Sequence, residues 1–111
     1  MQITSLDQIP ETGVSHNTRI RKQVIVANNQ IRNVTHFSRA VFPAGEVAWA
    51  HSHTDMTEVF LIEAGVGEMA INGQAFRVSA GTCISVEPGD EHELRNVGKE
   101  ELVVLYFGVL I

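Results

Sequence analysis

Residues 51–58, His-Ser-His-Thr-Asp-Met-Thr-Glu, hold two imidazoles one residue apart and a carboxylate at Glu58. In extended backbone, His51 and His53 point the same way, with Trp49 on their side and Ala50 and Ser52 opposite. After the turn at 54–57, Glu58 can return on a neighbouring strand, with Phe60 and Ile62 continuing its face. A fourth group follows at His92, where Glu87-Pro88-Gly89-Asp90-Glu91 reads as a tight turn into a strand carrying Leu94 and Asn96 on the same face. Three imidazoles and one carboxylate suit one divalent transition metal, and octahedral coordination leaves two positions open for a small-molecule substrate or for O2. The plainer reading makes these histidines surface or core residues, but four such groups are costly to bury without a shared partner.

Other residues carry weaker signals. Arg39 lies between Phe37 and Val41 on one strand face. Turned inward, its guanidinium anchors a substrate carboxylate; turned outward, it is a surface charge. Glu87 and Glu91 are candidates for a general base, or simply turn residues. Asp55 and Glu91 are also placed to hold imidazole N–H groups. His36 falls on the opposite face from Arg39 and reads as a surface or packing residue. His16 reaches the ligands only if the N-terminal segment folds over them. Tyr106 reads as interface packing, with a proton donor as the alternative. Trp49, Phe60, Ile62, Leu94 and Met69 read mostly as barrel core. Cys83 reads as a small buried filler with nothing nearby to activate it.

The elements that must position these groups are strands. Short runs rich in β-branched residues recur at 23–27, 31–42, 47–53, 58–64, 67–78, 82–86, 92–97 and 101–111, separated by Gly, Pro and Asn. Asn72-Gly73 between two alternating runs is a strong hairpin signal. The pattern predicts an all-β sandwich or small closed barrel, with residues 1–22 as an N-terminal arm or edge segment and 23–111 as the barrel domain. The last run is apolar on both faces, with Val103, Leu105 and Phe107 on one and Leu102, Val104 and Tyr106 on the other. Both faces should therefore be covered, one by the core and the other by a second sheet or, as the short chain favours, by a second copy in a homodimer.

Bulk properties exclude several function classes. The chain has 111 residues, 44% hydrophobic and 19% charged, with a net charge of −5. Its one basic cluster, Arg19-Ile20-Arg21-Lys22, is too small for a phosphate backbone, so no nucleic acid is expected. The single cysteine excludes an internal disulfide. No apolar run reaches the ~20 residues of a membrane helix, and the start lacks a secretory pattern, so a cytoplasmic protein with no membrane partner is expected.

The stretch GEVAWAHSHTDMTEVFLIEAG, residues 45–65, resembles the first motif of the cupin superfamily, with Gly45, His51, His53, Glu58 and Gly65 in register. GTCISVEPGDEHELRN, residues 81–96, is similar to the second, through Gly81, Gly89, His92 and Asn96. Glu87 stands where the family usually has proline, and Pro88 follows. The resemblance implies a double-stranded β-helix, or jelly-roll barrel, of two antiparallel sheets, usually dimeric. It implies that His51, His53, Glu58 and His92 hold Mn, Fe, Ni, Cu or Zn. Cupins host many chemistries. Fe or Mn would imply an oxidative, dioxygenase-like reaction; Zn or Ni would imply an isomerase or lyase, with Glu87 or Glu91 as base. A non-catalytic cupin binding a sugar or an acidic metabolite is the alternative.

Overall fold

The computed structural model describes residues 1–111. A single 3-10 turn at Leu6–Gln8 precedes ten strands: β1 (Thr12–Val14), β2 (Asn17–Val26), β3 (Val34–Phe42), β4 (Val47–His51), β5 (Met56–Ala64), β6 (Val66–Ile71), β7 (Gln74–Ser79), β8 (Cys83–Val86), β9 (His92–Asn96) and β10 (Leu102–Leu110). They form a six-stranded sheet, β1-β2-β3-β10-β5-β8, facing a four-stranded sheet, β4-β9-β6-β7. Every neighbouring pair is antiparallel. This is the two-sheet jelly-roll barrel that the strand pattern and the motifs imply, and no helix is long and apolar enough to cross a membrane.

Alternation along the strands decides which side chains look inward. On β3, Ser38, Ala40 and Phe42 are buried while Phe37, Arg39 and Val41 are less so. On β9, His92, Leu94 and Asn96 are buried and Arg95 is exposed. These inner faces meet in one core built around Ile20, Phe42, Ile62, Met69, Leu102 and Val104. Apolar burial of this kind supplies the main driving force for closing the barrel.

Tight connections fix the register. Asn72 (φ 51°) and Gly73 (φ 83°) join β6 to β7 between the paired residues Ile71 and Gln74, the two-residue hairpin expected of Asn-Gly. Gly65 (φ 90°) turns β5 into β6, where an added Cβ would collide with the Glu101 carbonyl oxygen. Asn96, 2% exposed, locks the end of β9: its Nδ2 donates to the carbonyls of Phe42 and Glu100, and its Oδ1 accepts from Gly98 N–H.

Four details differ from the simple alternation pattern or refine it. The boundary expected at 22/23 falls inside β2, and Ile20, on the N-terminal side of it, is fully buried in the core. The residues before β1 do run over the outside, where Gln23 Nε2 donates to the carbonyls of Leu6 and Ile9. Cys83 is exposed rather than buried, because it pairs with Leu61 on the outer face of the sheet. Trp49 is 55% exposed. The β4–β9 register slips between Ala48, opposite Leu94, and His51, opposite His92. One extra residue in β4 therefore puts Ala48, not Trp49, on the side of His51. Finally, β10 lies between β3 and β5 with its inner face in the core, while outward Phe107 and Val109 each remain 37% exposed.

Candidate metal centre

Three local structures deliver the four donor side chains. The bulged end of β4 carries His51, and the turn that follows carries His53. Glu58 comes from β5 and His92 from the start of β9. His92 is flanked by His51 on one side and Ile71 on the other, so the imidazoles of neighbouring strands meet over one end of the barrel. One ligand atom from each of the four residues lies within 4.8 Å of all the others.

Hydrogen bonds aim these rings. His51 Nδ1 is 2.9 Å from the Trp49 carbonyl, and His92 Nδ1 is 3.2 Å from the Asp90 carbonyl. A carbonyl only accepts, so in both rings Nδ1 carries the proton and Nε2 presents its lone pair to the cluster. His92 Nε2 is fully buried and has no hydrogen-bond partner; Glu58 Oε1 lies 3.3 Å away without hydrogen-bond geometry. A buried, unpartnered nitrogen beside three other potential ligand atoms is an arrangement that a bound ion would satisfy. His51, His53, Glu58 and His92 thus form a set able to hold a metal ion.

Glu58 is 5% exposed and anchors the cluster. Its Oε1 is 3.4 Å from His53 Nε2, and its Oε2 is 3.0 Å from His36 Nε2. His36 Nδ1 is in turn 3.0 Å from Ser38 Oγ. The ionised carboxylate can only accept, so His36 donates from Nε2 and accepts the Ser38 hydroxyl proton at Nδ1. Burial alone would raise the Glu58 pKa, but the hydrogen bond from His36 and the closeness of the His92 and His53 imidazoles outweigh it and hold it at about 2. Burial lowers the His51 pKa; its bond to the Trp49 carbonyl opposes this, and neighbouring His92, His16 and His53 add to the lowering. Burial also acts downward on His92, but Glu58 and the Asp90 carbonyl prevail and raise it. Burial, with the Glu58 charge, pushes the Tyr106 hydroxyl up to about 12.

The cluster opens into a cavity of about 240 Å³ inside the barrel. Phe60, Met69, Leu94 and Val104 form its apolar wall, and Tyr106, Ser38, His36, Lys22 and His16 add polar groups. Phe60 stacks on Tyr106 with ring centroids 5.5 Å apart. The volume is below the ~300–1,000 Å³ of pockets for drug-sized ligands, which limits the guest to a small metabolite.

The remaining candidates sit elsewhere. Arg39 faces outward and pairs with Glu63 at 3.2 Å. Glu87 and Glu91 are exposed, do not line the cavity, and serve the turn through their backbone N–H groups, which donate to Asp90 Oδ2 and Asn72 Oδ1. Asp55 is exposed, and its carbonyl accepts from Ile111 N–H. His36, which reads from sequence as a surface or packing residue, lies at the centre instead. The pairing of β3 with β10 sets its face, turning His36, Ser38, Ala40 and Phe42 inward and Arg39 outward. His16 also lines the cavity, because the β1–β2 turn folds over its mouth and stacks the ring on His51 at 4.7 Å.

Comparison with known proteins places this geometry in context. The family model described as a cupin domain matches residues 38–108. An oxalate-binding protein from Thermotoga maritima is 28% identical over 75 residues, covering 68% of this chain and 62% of that protein. An uncharacterized protein from Methanocaldococcus jannaschii is 29% identical over 68 residues, covering 61% of this chain and 54% of that protein. The chain thus spans less than two thirds of either curated relative. A solved structure of a predicted oxalate decarboxylase from Thermotoga maritima superposes with a TM-score of 0.92, covering 99% of this chain and 100% of that one at 20% identity. At that identity the likeness is one of fold.

Proposed function

The chain belongs to the cupin domain family, and from that premise we propose that it is a metal-dependent enzyme acting on a small polar metabolite, with dioxygenase-like chemistry. The observation that carries the reading is the buried, unpartnered His92 Nε2, gathered with His51, His53 and Glu58 beside a cavity inside the barrel. A divalent ion held there would polarise substrate oxygens as a Lewis acid, and Fe or Mn would add redox capacity.

The protein's own groups narrow the chemistry. Glu58 is the only carboxylate lining the cavity, and His36, His53 and His92 already engage it. With Glu87 and Glu91 outside, no free carboxylate is left as a base for isomerase or lyase chemistry. Tyr106, pushed up to about 12, keeps its proton at neutral pH, so it can hydrogen-bond a bound guest but does not act as a base. The apolar wall restricts water around the open positions. Chemistry centred on the metal itself fits these surroundings better than acid–base catalysis by a side chain.

A second reading, a non-catalytic cupin that holds a small acid, is favoured by the printed name of one relative, an oxalate-binding protein. In either case we take the chain to act as a homodimer, paired through the outer face of β5 and β10, where Leu61, Phe107 and Val109 are exposed.

Elemental analysis of untagged protein, purified without chelator, tests the reading. Fe or Mn near one per chain, with substrate-dependent O2 uptake, supports the enzyme. Bound metal with ligand affinity but no turnover supports the binder. No metal after reconstitution overturns both.

A further inference from the structure

Lys22 lies inside the barrel. On β2 it is two residues from fully buried Ile20 and pairs with Ala40, itself 2% exposed on the inner face of β3. Its neighbours Arg19 and Arg21 are exposed, so the basic cluster splits into outward arginines and an inward lysine. Lys22 is half-buried and lines the same cavity as the metal-binding cluster. It belongs to none of the six ion pairs of the chain. The one carboxylate of the cavity, Glu58, is occupied by imidazoles. Among lining residues Lys22 is the only lysine or arginine. A cationic side chain that lines a cavity without a counter-charge offers an anionic guest a partner that no protein group already occupies.

We propose that Lys22 anchors one anionic end of the guest while the metal centre holds the other, so that the substrate class is small carboxylic acids carrying a second anionic group. The proposal rests on the metal-centre reading above. Three imidazoles and one carboxylate leave a divalent ion with a net positive charge, which favours a carboxylate at its open positions. Lys22 then supplies a second attachment point on another strand, and two points fix length and orientation where one fixes only affinity. Arg39, which could anchor a carboxylate only from an inward face, cannot serve, because it points out of the barrel and pairs with Glu63. The competing arrangement has the Lys22 stem lining the wall and its ammonium extending into solvent at the mouth.

Metal-loaded wild type, K22M and K22R are titrated by calorimetry with malonate, succinate and glutarate, and with acetate, propionate and butyrate as single-charge controls. Metal content is measured on each sample first. K22M is expected to load metal as wild type does. It should bind the best dicarboxylate about tenfold or more weakly, while its affinity for the monocarboxylates changes less than threefold, and K22R should recover most of the loss. K22M that loads metal and holds the dicarboxylates as tightly as wild type overturns the anchor alone. Equal wild-type affinity for both series, or none for either, overturns it too. Wild type that takes up no metal overturns the metal-centre reading and this proposal together.

Discussion

His36 Nε2 lies 3.0 Å from Glu58 Oε2, while the other carboxylate oxygen, Oε1, faces His53 and His92 at 3.4 and 3.3 Å. One oxygen of Glu58 is therefore held by a neighbour, and the other is presented to the cluster. Ser38, 1% exposed, fixes the far side of the His36 ring. Partners of this kind typically contribute about 10–100-fold to metal affinity. His36→Leu should weaken metal binding by a factor in that range, and His36→Gln, which keeps an N–H donor, should lose much less. Competition against a chromophoric chelator measures both, with circular dichroism to verify the fold. Equal affinity in wild type and His36→Leu would show that Glu58 orients itself.

Metal loading should also appear as stability. An ion at a hundredfold its Kd adds about 2.7 kcal/mol to the folded state. For a chain of this size that corresponds to a rise in Tm on the order of 10 °C. His92→Ala and Glu58→Gln remove donors from the centre and should abolish the rise while leaving a cooperative unfolding transition. Differential scanning fluorimetry with Mn, Fe, Ni or Zn reads it directly. A full shift in either variant would remove that residue from the ligand set.

Acid stability of the metal-free protein follows from Glu58. Its pKa is about 2 in the folded chain, against an ordinary 4.5. A lowered carboxylate pKa stabilises the fold above the unfolded value, and the stabilisation fades as pH falls from about 4.5 to about 2. The upper bound is on the order of 3 kcal/mol, since one unit corresponds to about 1.4 kcal/mol. Urea midpoints of wild type should fall more steeply between pH 5 and 2.5 than those of Glu58→Gln. Parallel profiles would mean that the carboxylate is no better held in the folded state than in the unfolded chain.

Much of this site is legible in the chain because its ligands are local in sequence or announced by turns. His51, His53 and Glu58 need only a strand, a turn and the next strand, and His92 follows a Pro-Gly turn; the structure brings all four together. Parity counted from His51 fails at Trp49, because a bulge inserts one residue into β4. His36 and Lys22 depend on which side of β3 and β2 faces the core, and that is fixed by long-range pairing with β10 and by the buried residues Ile20 and Ala40. No local pattern states that side outright. The exposure of Cys83 is not local either, since it follows from β8 being an edge strand with its outer face open.

The outer face of β10 carries the homodimer prediction. Phe107 pairs with Phe37 on β3 and Val59 on β5, and Leu105 pairs with Leu61, so apolar side chains run across three adjacent strands. Leu61 is 42% and Phe107 37% exposed, which leaves apolar area in contact with water. Such a patch stabilises a complex when a second copy covers it, and two-fold symmetry brings each residue of the patch close to its own equivalents. Phe107→Glu then places like charges near each other in an apolar setting, a costly arrangement. Light scattering coupled to size exclusion should give twice the chain mass for wild type at micromolar concentration and the single chain mass for Phe107→Glu. Metal content should be unchanged, because Phe107 does not line the cavity. A monomeric wild type, or a variant that still pairs, would mean that this face is not where the copies meet.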